Sequence, residues 1–311
     1  MKKNWIPYQI DLNSLPLRVK WIFIGNKTFT EPFFHETTSK CRVFEENQNP
    51  IYSSLEELIS QSTTFEYLEP TCFIFHVSRC GSTLLTQLLS IDPQNIVVSE
   101  PPILDDALRG LDFSASRVDE ETQNLAIKAV VNHLGQRRFE QQNNYIIKLD
   151  SWHIFYYDKL RKLYPDTPFI FSFRRPDEVI RSQVRECGMH AAPGVIQPQL
   201  FEFNLEEILL LERPVYVAKV LEKYFEHYLE IIDKDKNTLF INYAEGTLTI
   251  LDKIEEFLKL KIEPSIKQKM VDRTQFHSKR PNTVFEEKPL NDVSPDYQKK
   301  VLEMYEILSK K

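Results

Sequence analysis

Apolar residues between positions 72 and 243 form five short, nearly uninterrupted runs. Runs of this length and composition are typical of parallel strands that are covered on both faces, whereas a half-exposed strand alternates polar and apolar residues. The pattern therefore predicts five buried strands. Their sequences are CFIFHV (72–77), NIVVS (95–99), NYIIKLD (144–150), PFIFSF (168–173) and TLFINY (238–243).

Stretches with apolar residues at helical spacing occupy the intervals between these runs. Strands that alternate with helices form an open sheet with helices on both faces, and ligands bind at the carboxyl ends of its strands. We predict a doubly wound α/β domain with a mainly parallel sheet over residues 70–311. The helical stretches are TLLTQLLS, ETQNLAIKAVVNHLGQR, IFYYDKLRKLY, PDEVIRSQVRE, PVYVAKVLEKYFEHYLEIID and LTILDKIEEFLKL.

The first 69 residues have a different pattern. The segments VKWIFIG and CRVFEE are typical of short strands, and SLEELISQ (54–61) is typical of a short helix. Pro70, in EYLEPT, precedes the first strongly apolar strand and marks the boundary. We predict that residues 1–69 form a small mixed N-terminal appendage to the α/β domain.

Composition and charge exclude several classes of function. Of the 311 residues, 42% are hydrophobic and 27% are charged, so the chain can bury a substantial core. The formal net charge of -6 opposes a protein that grips nucleic-acid backbone over a wide face, and we expect no nucleic-acid partner. Any anion that the protein binds must meet positive charge gathered locally.

Neither a metal site nor a membrane segment is predicted. The seven histidines are scattered, and the four cysteines contain no C-x-x-C pair (Cys41, Cys72, Cys80 and Cys187). No apolar run approaches the ~20 residues of a membrane span, and the start of the chain lacks a signal-peptide core. We expect a soluble cytoplasmic protein with free thiols, no metal and no membrane partner.

A loop with the features of a phosphate site follows the first predicted strand of the α/β domain. Backbone N–H groups at the start of the next helix attract an anion, Ser82 and Thr83 add hydroxyl donors, and Arg79 adds a full charge. The ATP-binding pattern G-x-x-x-x-G-K-[ST], aligned on Gly81, requires glycine at His76 and lysine at Ser82, and only Thr83 fits. We therefore predict that ATP with magnesium is not the natural ligand of this loop.

The segment SRCGSTLL instead resembles the first signature of the sulfotransferases, P-[KR]-S-G-T-T before an apolar helix. Arg79 stands at the basic position, and Gly81, Ser82 and Thr83 stand at the glycine and the two hydroxyls. Serine replaces the proline, and Cys80 replaces the serine. In that family the loop binds the 5′-phosphosulfate of 3′-phosphoadenosine 5′-phosphosulfate (PAPS), and the resemblance implies the same role for residues 79–83.

A second signature of the same family occurs in FIFSFRRPDEVIRS. The family places an arginine at the end of a strand, then a proline, and a serine eight residues after the arginine; Arg174, Pro176 and Ser182 match. Pro176 suits the first position of a helix. The resemblance implies that Arg174 and Ser182 hold the 3′-phosphate, and the two signatures together imply a P-loop-type sulfotransferase with PAPS as co-substrate.

A third, weaker resemblance lies nearer the end of the chain. TLFINYAEGTLTILDKIEEFL resembles a late strand and helix of the family, and Tyr243 would then face the adenine. The basic segment RTQFHSKRPN (273–282) stands where the family closes over the 3′-phosphate, which implies that role for Lys279 or Arg280. An ordinary solvated charge cluster explains this segment equally well.

Two carboxylates compete for the role of general base. Glu100 follows the second strand of the α/β domain, so it shares the carboxyl edge with the loop, and we expect Pro101 and Pro102 to hold the chain extended. The protein-tyrosine and carbohydrate branches of the family use a glutamate at a similar point. Small-molecule sulfotransferases use a Lys-x-His element, here Lys148-Leu149-Asp150, although Asp150 also suits a helix cap.

These features predict a sulfotransferase that uses Glu100 to activate a small-molecule or peptide hydroxyl acceptor. Lys148 and Arg79 would offset charge on the leaving group, and the acceptor pocket would be lined by residues 101–125, the 186–200 loop and the N-terminal appendage. NYIIKLD also fits the magnesium-holding strand of an ATP-dependent, kinase-like phosphotransferase, which is one alternative. A non-catalytic nucleotide-binding protein on the same scaffold is another.

Overall fold

The structure is a computed structural model that describes residues 3–114, 116, 118–276 and 295–311. Among these residues the strands form two sheets, one of three strands and one of five. The strands are β1 (Trp5–Asp11), β2 (Arg18–Phe23), β3 (Ile51–Ser54), β4 (Cys72–His76), β5 (Asn95–Ser99), β6 (Asn144–Lys148), β7 (Phe169–Phe173) and β8 (Thr238–Asn242).

Helices pack around both sheets, and a π-helical turn, Asp106–Gly110, joins two of them. The α-helices are α1 (Phe34–Cys41), α2 (Leu55–Gln61), α3 (Ser82–Leu89), α4 (Pro102–Asp105), α5 (Leu111–Phe113), α6 (Glu120–Leu134), α7 (Tyr157–Leu163), α8 (Pro176–Arg185), α9 (Leu205–Leu209), α10 (Arg213–Lys234), α11 (Thr247–Leu258), α12 (Pro264–Arg273) and α13 (Lys299–Leu308). Short 3₁₀ turns are Glu45–Asn47, Ser151–Tyr156, Met189–Ala191, Pro198–Phe201, Tyr243–Glu245 and Asp296–Gln298.

The five-stranded sheet has the order β5-β6-β4-β7-β8 with every neighbouring pair parallel, which confirms the predicted fold class. Each predicted apolar run supplies one strand. Every residue of β4, β5 and β7 is buried because helices cover both faces. The chain leaves the central strand β4 toward β5 on one side and later enters β7 on the other. The carboxyl ends of these strands therefore gather at one edge of the sheet.

The three-stranded sheet at the N-terminus is antiparallel, with β2 between β1 and β3. As predicted, a short helix follows β3. Ser54 caps α2, because its Oγ accepts from the Glu57 N–H at 3.1 Å and the Glu57 carboxylate accepts from the Ser54 N–H at 2.9 Å.

The prediction of a strand in CRVFEE is wrong. Cys41 ends α1, and the residues after it turn rather than form a strand. Instead, the side chain of Asn47 forms hydrogen bonds with the backbone at the end of β2. The Asn47 side chain accepts from the Phe23 N–H at 2.8 Å and donates to the Phe23 carbonyl at 2.7 Å. Val43, one of the apolar residues behind the prediction, is 81% exposed.

The N-terminal sheet and the α/β sheet share one hydrophobic core. The larger cluster of buried apolar residues contains members of both parts of the chain. Trp21 of β2 contacts the ring of His133 of α6 edge-on at 4.9 Å, and the Ile10 N–H of β1 donates to Asp106 at 2.8 Å. The division of the chain at residue 69 stays a prediction.

Candidate active site

The loop between β4 and α3 has the backbone of an anion-binding turn. Ser78, Arg79 and Gly81 all adopt positive φ, at 65°, 51° and 81°. Backbone of this kind turns N–H groups toward a common concavity, and α3 begins immediately afterwards with Gly81 as its N-cap. The positive end of the helix dipole therefore faces the same space as these N–H groups.

Tyr243, Arg174 and the loop meet at Gly81. A Cβ atom on Gly81 would lie 2.6 Å from the Tyr243 ring, so the close approach requires glycine. The Arg174 guanidinium stands 4.2 Å from the centre of the Tyr243 ring, and one of its nitrogens donates to the Arg79 carbonyl at 3.4 Å. The fold thus brings both sequence signatures and Tyr243 together. Ser182 lies half-buried two turns into α8.

Glu100 forms the centre of a charged cluster at the carboxyl edge. The Lys148 ammonium lies 2.8 Å from Glu100 Oε1 and donates to Thr83 Oγ1 of the loop at 3.2 Å. His76 Nε2 lies 3.2 Å from the same carboxylate oxygen. Burial would raise the pKa of Glu100, but the charge of Lys148 and the hydrogen bond from His76 outweigh it and hold the pKa well below its usual range. Glu100 is therefore an ionised carboxylate linked through Lys148 to the loop.

The backbone at Glu100 differs from the expected extended chain. Pro101 is extended, with φ −73° and ψ 119°, but Pro102 begins α4. Glu100 itself has a φ of 51°, an uncommon conformation for a residue with a side chain. Its N–H donates to the Lys148 carbonyl at 2.8 Å, and this bond holds the strained residue against the end of β6.

Asp150 occupies the N-cap of the 3₁₀ turn Ser151–Tyr156, as its alternative role predicted. Its N–H donates to His153 Nδ1 at 3.2 Å, so the other ring nitrogen carries the proton and lies 3.0 Å from Asp105 Oδ1. Burial, with Glu100 and Asp105 nearby, raises the pKa of Asp150 well above its usual range. The surroundings therefore disfavour the charged form of Asp150 and favour that of Glu100.

Sequence reasoning missed Asp105, which organises this side of the site. Its Oδ1 accepts from Trp152 Nε1 at 2.7 Å, and Arg109 donates to both carboxylate oxygens. Potential metal-ligand atoms of Asp105, Asp150 and His153 lie within 4.8 Å of one another, a grouping that the scattered histidines did not predict. A cation there would have to displace Arg109 from Asp105. No motif links these residues in sequence, because two separate segments supply them: Asp105 ends α4, and Asp150 and His153 belong to the turn after β6.

Two other predicted residues of the first loop have partners within the protein. Arg79 forms an ion pair with Glu186 at 3.1 Å and donates to the Glu186 carbonyl at 2.6 Å. Cys80 is buried, and the Ser172 hydroxyl lies 3.3 Å from its sulfur. The predicted residues Lys279 and Arg280 lie outside the described part of the chain. Within that part, no helix combines the length and apolar character needed to cross a membrane.

The matched family is that of the sulfotransferases. Residues 70–194 match the family model described as "Sulfotransferase family", a segment shorter than half of the chain. The match includes the loop after β4, Glu100, Lys148 and the second signature, and it ends before Tyr243. It confirms the resemblance to sulfotransferases found in the sequence. No curated protein matches the chain.

Solved structures similar to the chain are sulfotransferases of low sequence identity. The sulfotransferase domain of the Synechococcus PCC 7002 olefin synthase is 16% identical, with a TM-score of 0.48 over 80% of this chain and 98% of that one. Mouse sulfotransferase SULT7A1, solved with PAP, is 16% identical, with a TM-score of 0.42 over 82% of this chain and 83% of that one. A sulfotransferase from Alicyclobacillus acidocaldarius is 16% identical, with a TM-score of 0.39 over 66% of this chain and 90% of that one. These superpositions are weak, and the fold assignment rests on the sheet order.

Proposed function

We propose that the protein is a sulfotransferase that moves a sulfuryl group from PAPS to a hydroxyl acceptor. The observation that carries the proposal is the contact chain from Glu100 through Lys148 to Thr83. Through Lys148, this chain of contacts connects an ionised carboxylate to the anion-binding loop. In an in-line transfer the acceptor oxygen and the departing phosphate oxygen lie on opposite sides of one sulfur, so the general base and the leaving-group cation must both lie close to that sulfur.

The residues around the loop fit the donor. The positive-φ turn and the start of α3 suit the 5′-phosphosulfate, with side chains from Arg79, Ser82 and Thr83. Arg174 and Ser182 would bind the 3′-phosphate. Tyr243, which packs on Gly81 and beneath the Arg174 guanidinium, would lie beside the adenine.

In the proposed reaction Glu100 accepts the proton of the acceptor hydroxyl, whose oxygen attacks the sulfur in line with the leaving group. The bond between sulfur and the phosphate oxygen breaks, and 3′-phosphoadenosine 5′-phosphate (PAP) leaves with its electron pair. Lys148 and Arg79 offset the charge that develops on that oxygen. As Lys148 turns its charge toward the phosphate, Glu100 loses stabilisation and becomes a stronger base.

Thermal denaturation with added nucleotides tests the donor. We expect PAP to raise the melting temperature without magnesium, and ADP or ATP with magnesium to raise it much less. Stabilisation only by ATP with magnesium would favour the kinase-like alternative. Stabilisation by PAP without PAPS-dependent sulfation of any hydroxyl compound would favour the non-catalytic nucleotide-binding alternative.

A further inference from the structure

The N-terminal part of the chain contributes an aromatic ring to the Glu100 cluster. Phe33 precedes α1 with extended backbone, at φ −136° and ψ 149°, and the centre of its ring lies 5.1 Å from the Lys148 ammonium. Lys148 in turn lies 2.8 Å from Glu100. The ring is therefore a neighbour of the lysine that pairs with Glu100, although it lies outside the matched family segment.

An ionic clamp with a buried carboxylate holds the backbone around Phe33. The Glu31 carboxylate, whose side chain is only 5% exposed, lies 2.7 Å from the Lys27 ammonium and 2.9 Å from that of Lys40. It also accepts a 2.6 Å hydrogen bond from the Thr37 hydroxyl. These contacts link residues before Phe33 to residues after it. The backbone that carries the Phe33 ring is therefore held in position without a ligand.

Aromatic packing adds a second anchor beside the clamp. Phe34, the next residue along, is buried and stacks on Phe29 with ring centres 5.8 Å apart. The Arg138 guanidinium lies 5.5 Å from the Phe29 ring and donates to the Gly25 carbonyl at 3.1 Å. Phe34 points into the core, whereas the ring of the half-buried Phe33 lies near Lys148 and stacks on the His35 ring, with ring centres 5.6 Å apart.

We propose that Phe33 forms the acceptor-side wall of the site and selects hydroxyl groups attached to an aromatic or otherwise apolar body. This inference rests on the proposed function. A hydroxyl within hydrogen-bond reach of Glu100 brings the carbon atoms that bear it close to the Phe33 ring. A phenol gains ring packing there, whereas a sugar would place hydroxyl groups against a surface that offers them no hydrogen bonds.

Binding of a fluorescent phenol, 2-naphthol, tests the wall without requiring turnover. Its affinity is measured by fluorescence titration, with and without PAP, for the wild-type protein and for Phe33→Ala and Phe33→Leu. We expect the Kd to rise about tenfold in Phe33→Ala and less in Phe33→Leu, which keeps an apolar side chain. Phe65→Ala is the matched control, because Phe65 is a half-buried ring of the same N-terminal region that contacts Tyr67 and His133.

The outcomes separate this inference from the proposed function. Absence of 2-naphthol binding to the wild type, or equal affinity in Phe33→Ala, would overturn the aromatic wall. Sulfation of 2-naphthol from PAPS, with an increase in KM in Phe33→Ala and not in Phe65→Ala, would support both proposals. Phe33-dependent binding of 2-naphthol without sulfation of any acceptor would leave the wall standing and refute the sulfotransferase activity.

Discussion

Glu100 and Asp150 lie at the same edge of the sheet, yet their surroundings shift their pKa values in opposite directions. The Lys148 ammonium, 2.8 Å away, stabilises the carboxylate of Glu100. Burial and the neighbouring acids Glu100 and Asp105 raise the pKa of Asp150 instead. Because burial and the neighbouring acids disfavour the charged form of Asp150, which is the form that accepts a proton, we propose Glu100 rather than Asp150 as the general base.

We expect Glu100→Gln to lower kcat for PAPS-dependent sulfation by roughly 10²- to 10⁴-fold, the range typical of a lost general base. The amide keeps the shape of the side chain but does not accept the proton. The affinity for PAP, measured by calorimetry, should not weaken, because the change removes a negative charge near the anion site. Glu202→Gln, at an exposed carboxylate paired with Lys223, is the control. A greater loss in Asp150→Asn than in Glu100→Gln would reverse the assignment.

The Glu31 clamp should make stability depend on pH. Burial alone would raise the pKa of Glu31, but hydrogen bonds from Lys27, Thr37 and Lys40 outweigh it and lower the pKa to about 2. A depressed folded-state pKa stabilises the fold above the ordinary value of about 4.3, and this stability is lost as the pH falls toward 2.

Urea denaturation of wild type and Glu31→Gln at pH 7 and pH 3 measures this effect. At pH 7 we expect the variant to be less stable by about 2 kcal/mol, a value reduced for solvent screening of Lys40. At pH 3 the difference should shrink to about half or less, because the wild-type protein loses most of its advantage between pH 5 and 2. A difference that is equal at both pH values would mean that the ionised carboxylate is not the source of the stability.

The sequence predicted where the charged residues of the candidate site lie more reliably than it predicted their pKa values. Spacing after the strands placed Glu100, Lys148 and Arg174 at one edge, since the ends of parallel strands are adjacent in any sheet of this type. The pKa of each carboxyl depends on side chains from other segments, such as Asp105 beside Asp150, and no local pattern encodes them. Phe33 was not singled out for the same reason, because its neighbour Lys148 is far along the chain.

At the level of elements, hydrogen bonds connect α8 and the residues after it to the anion-binding loop. Gln183 of α8 donates to the Ser78 hydroxyl at 3.0 Å and to His190 at 3.3 Å, and His190 contacts the Ser151 hydroxyl at 3.2 Å. Because burial lowers the pKa of His190 to about 3, its ring is neutral and accepts from the Gln183 amide. These buried contacts couple the loop to both α8 and the turn after Asp150.

Glu186, just beyond α8, competes with any anion for Arg79. Its carboxylate lies 3.1 Å from the guanidinium, and its side chain is 62% exposed. We expect Glu186→Gln to tighten PAP binding by about two- to fivefold, since an exposed ion pair contributes up to about 1 kcal/mol. Calorimetric titration of PAP measures the change, with Glu202→Gln as the control for loss of a surface carboxylate. Weaker binding in Glu186→Gln would show that the Glu186 pair positions Arg79 rather than neutralising it.

The elements themselves were predicted unevenly, for physical reasons. Strands β4 to β8 match the predicted runs to within two residues at either end, because full burial requires a continuous apolar sequence. β1 was not predicted; it contains Pro7, and its pairing with β2 shifts register between Pro7 and Gln9. The first three residues of IFYYDKLRKLY belong to a 3₁₀ turn rather than to the α-helix, since Asp150 and His153 fix a tighter first turn.

At the scale of the whole molecule, the N-terminal sheet packs against the α/β domain. It shares a hydrophobic core with the α/β sheet and carries Phe33 to the Glu100 cluster. The sequence predicted that the N-terminal appendage helps to line the acceptor pocket, but it did not indicate Phe33, because the short N-terminal elements carry no motif and the contact of Phe33 with Lys148 joins distant parts of the chain. A shared core implies that the two parts unfold together.

The chain's tryptophans allow this cooperativity to be measured. Trp5 and Trp21 lie in the N-terminal sheet, and Trp152 lies in the turn after β6. We expect the Trp152→Phe variant, whose fluorescence reports the N-terminal sheet alone, to lose tryptophan fluorescence and far-ultraviolet circular dichroism at the same urea concentration. PAP, which contacts only α/β residues in the proposed site, should shift both midpoints equally. A fluorescence transition at lower urea, or one that PAP does not move, would mean that residues 1–69 unfold independently and that Phe33 is not held rigidly against Lys148.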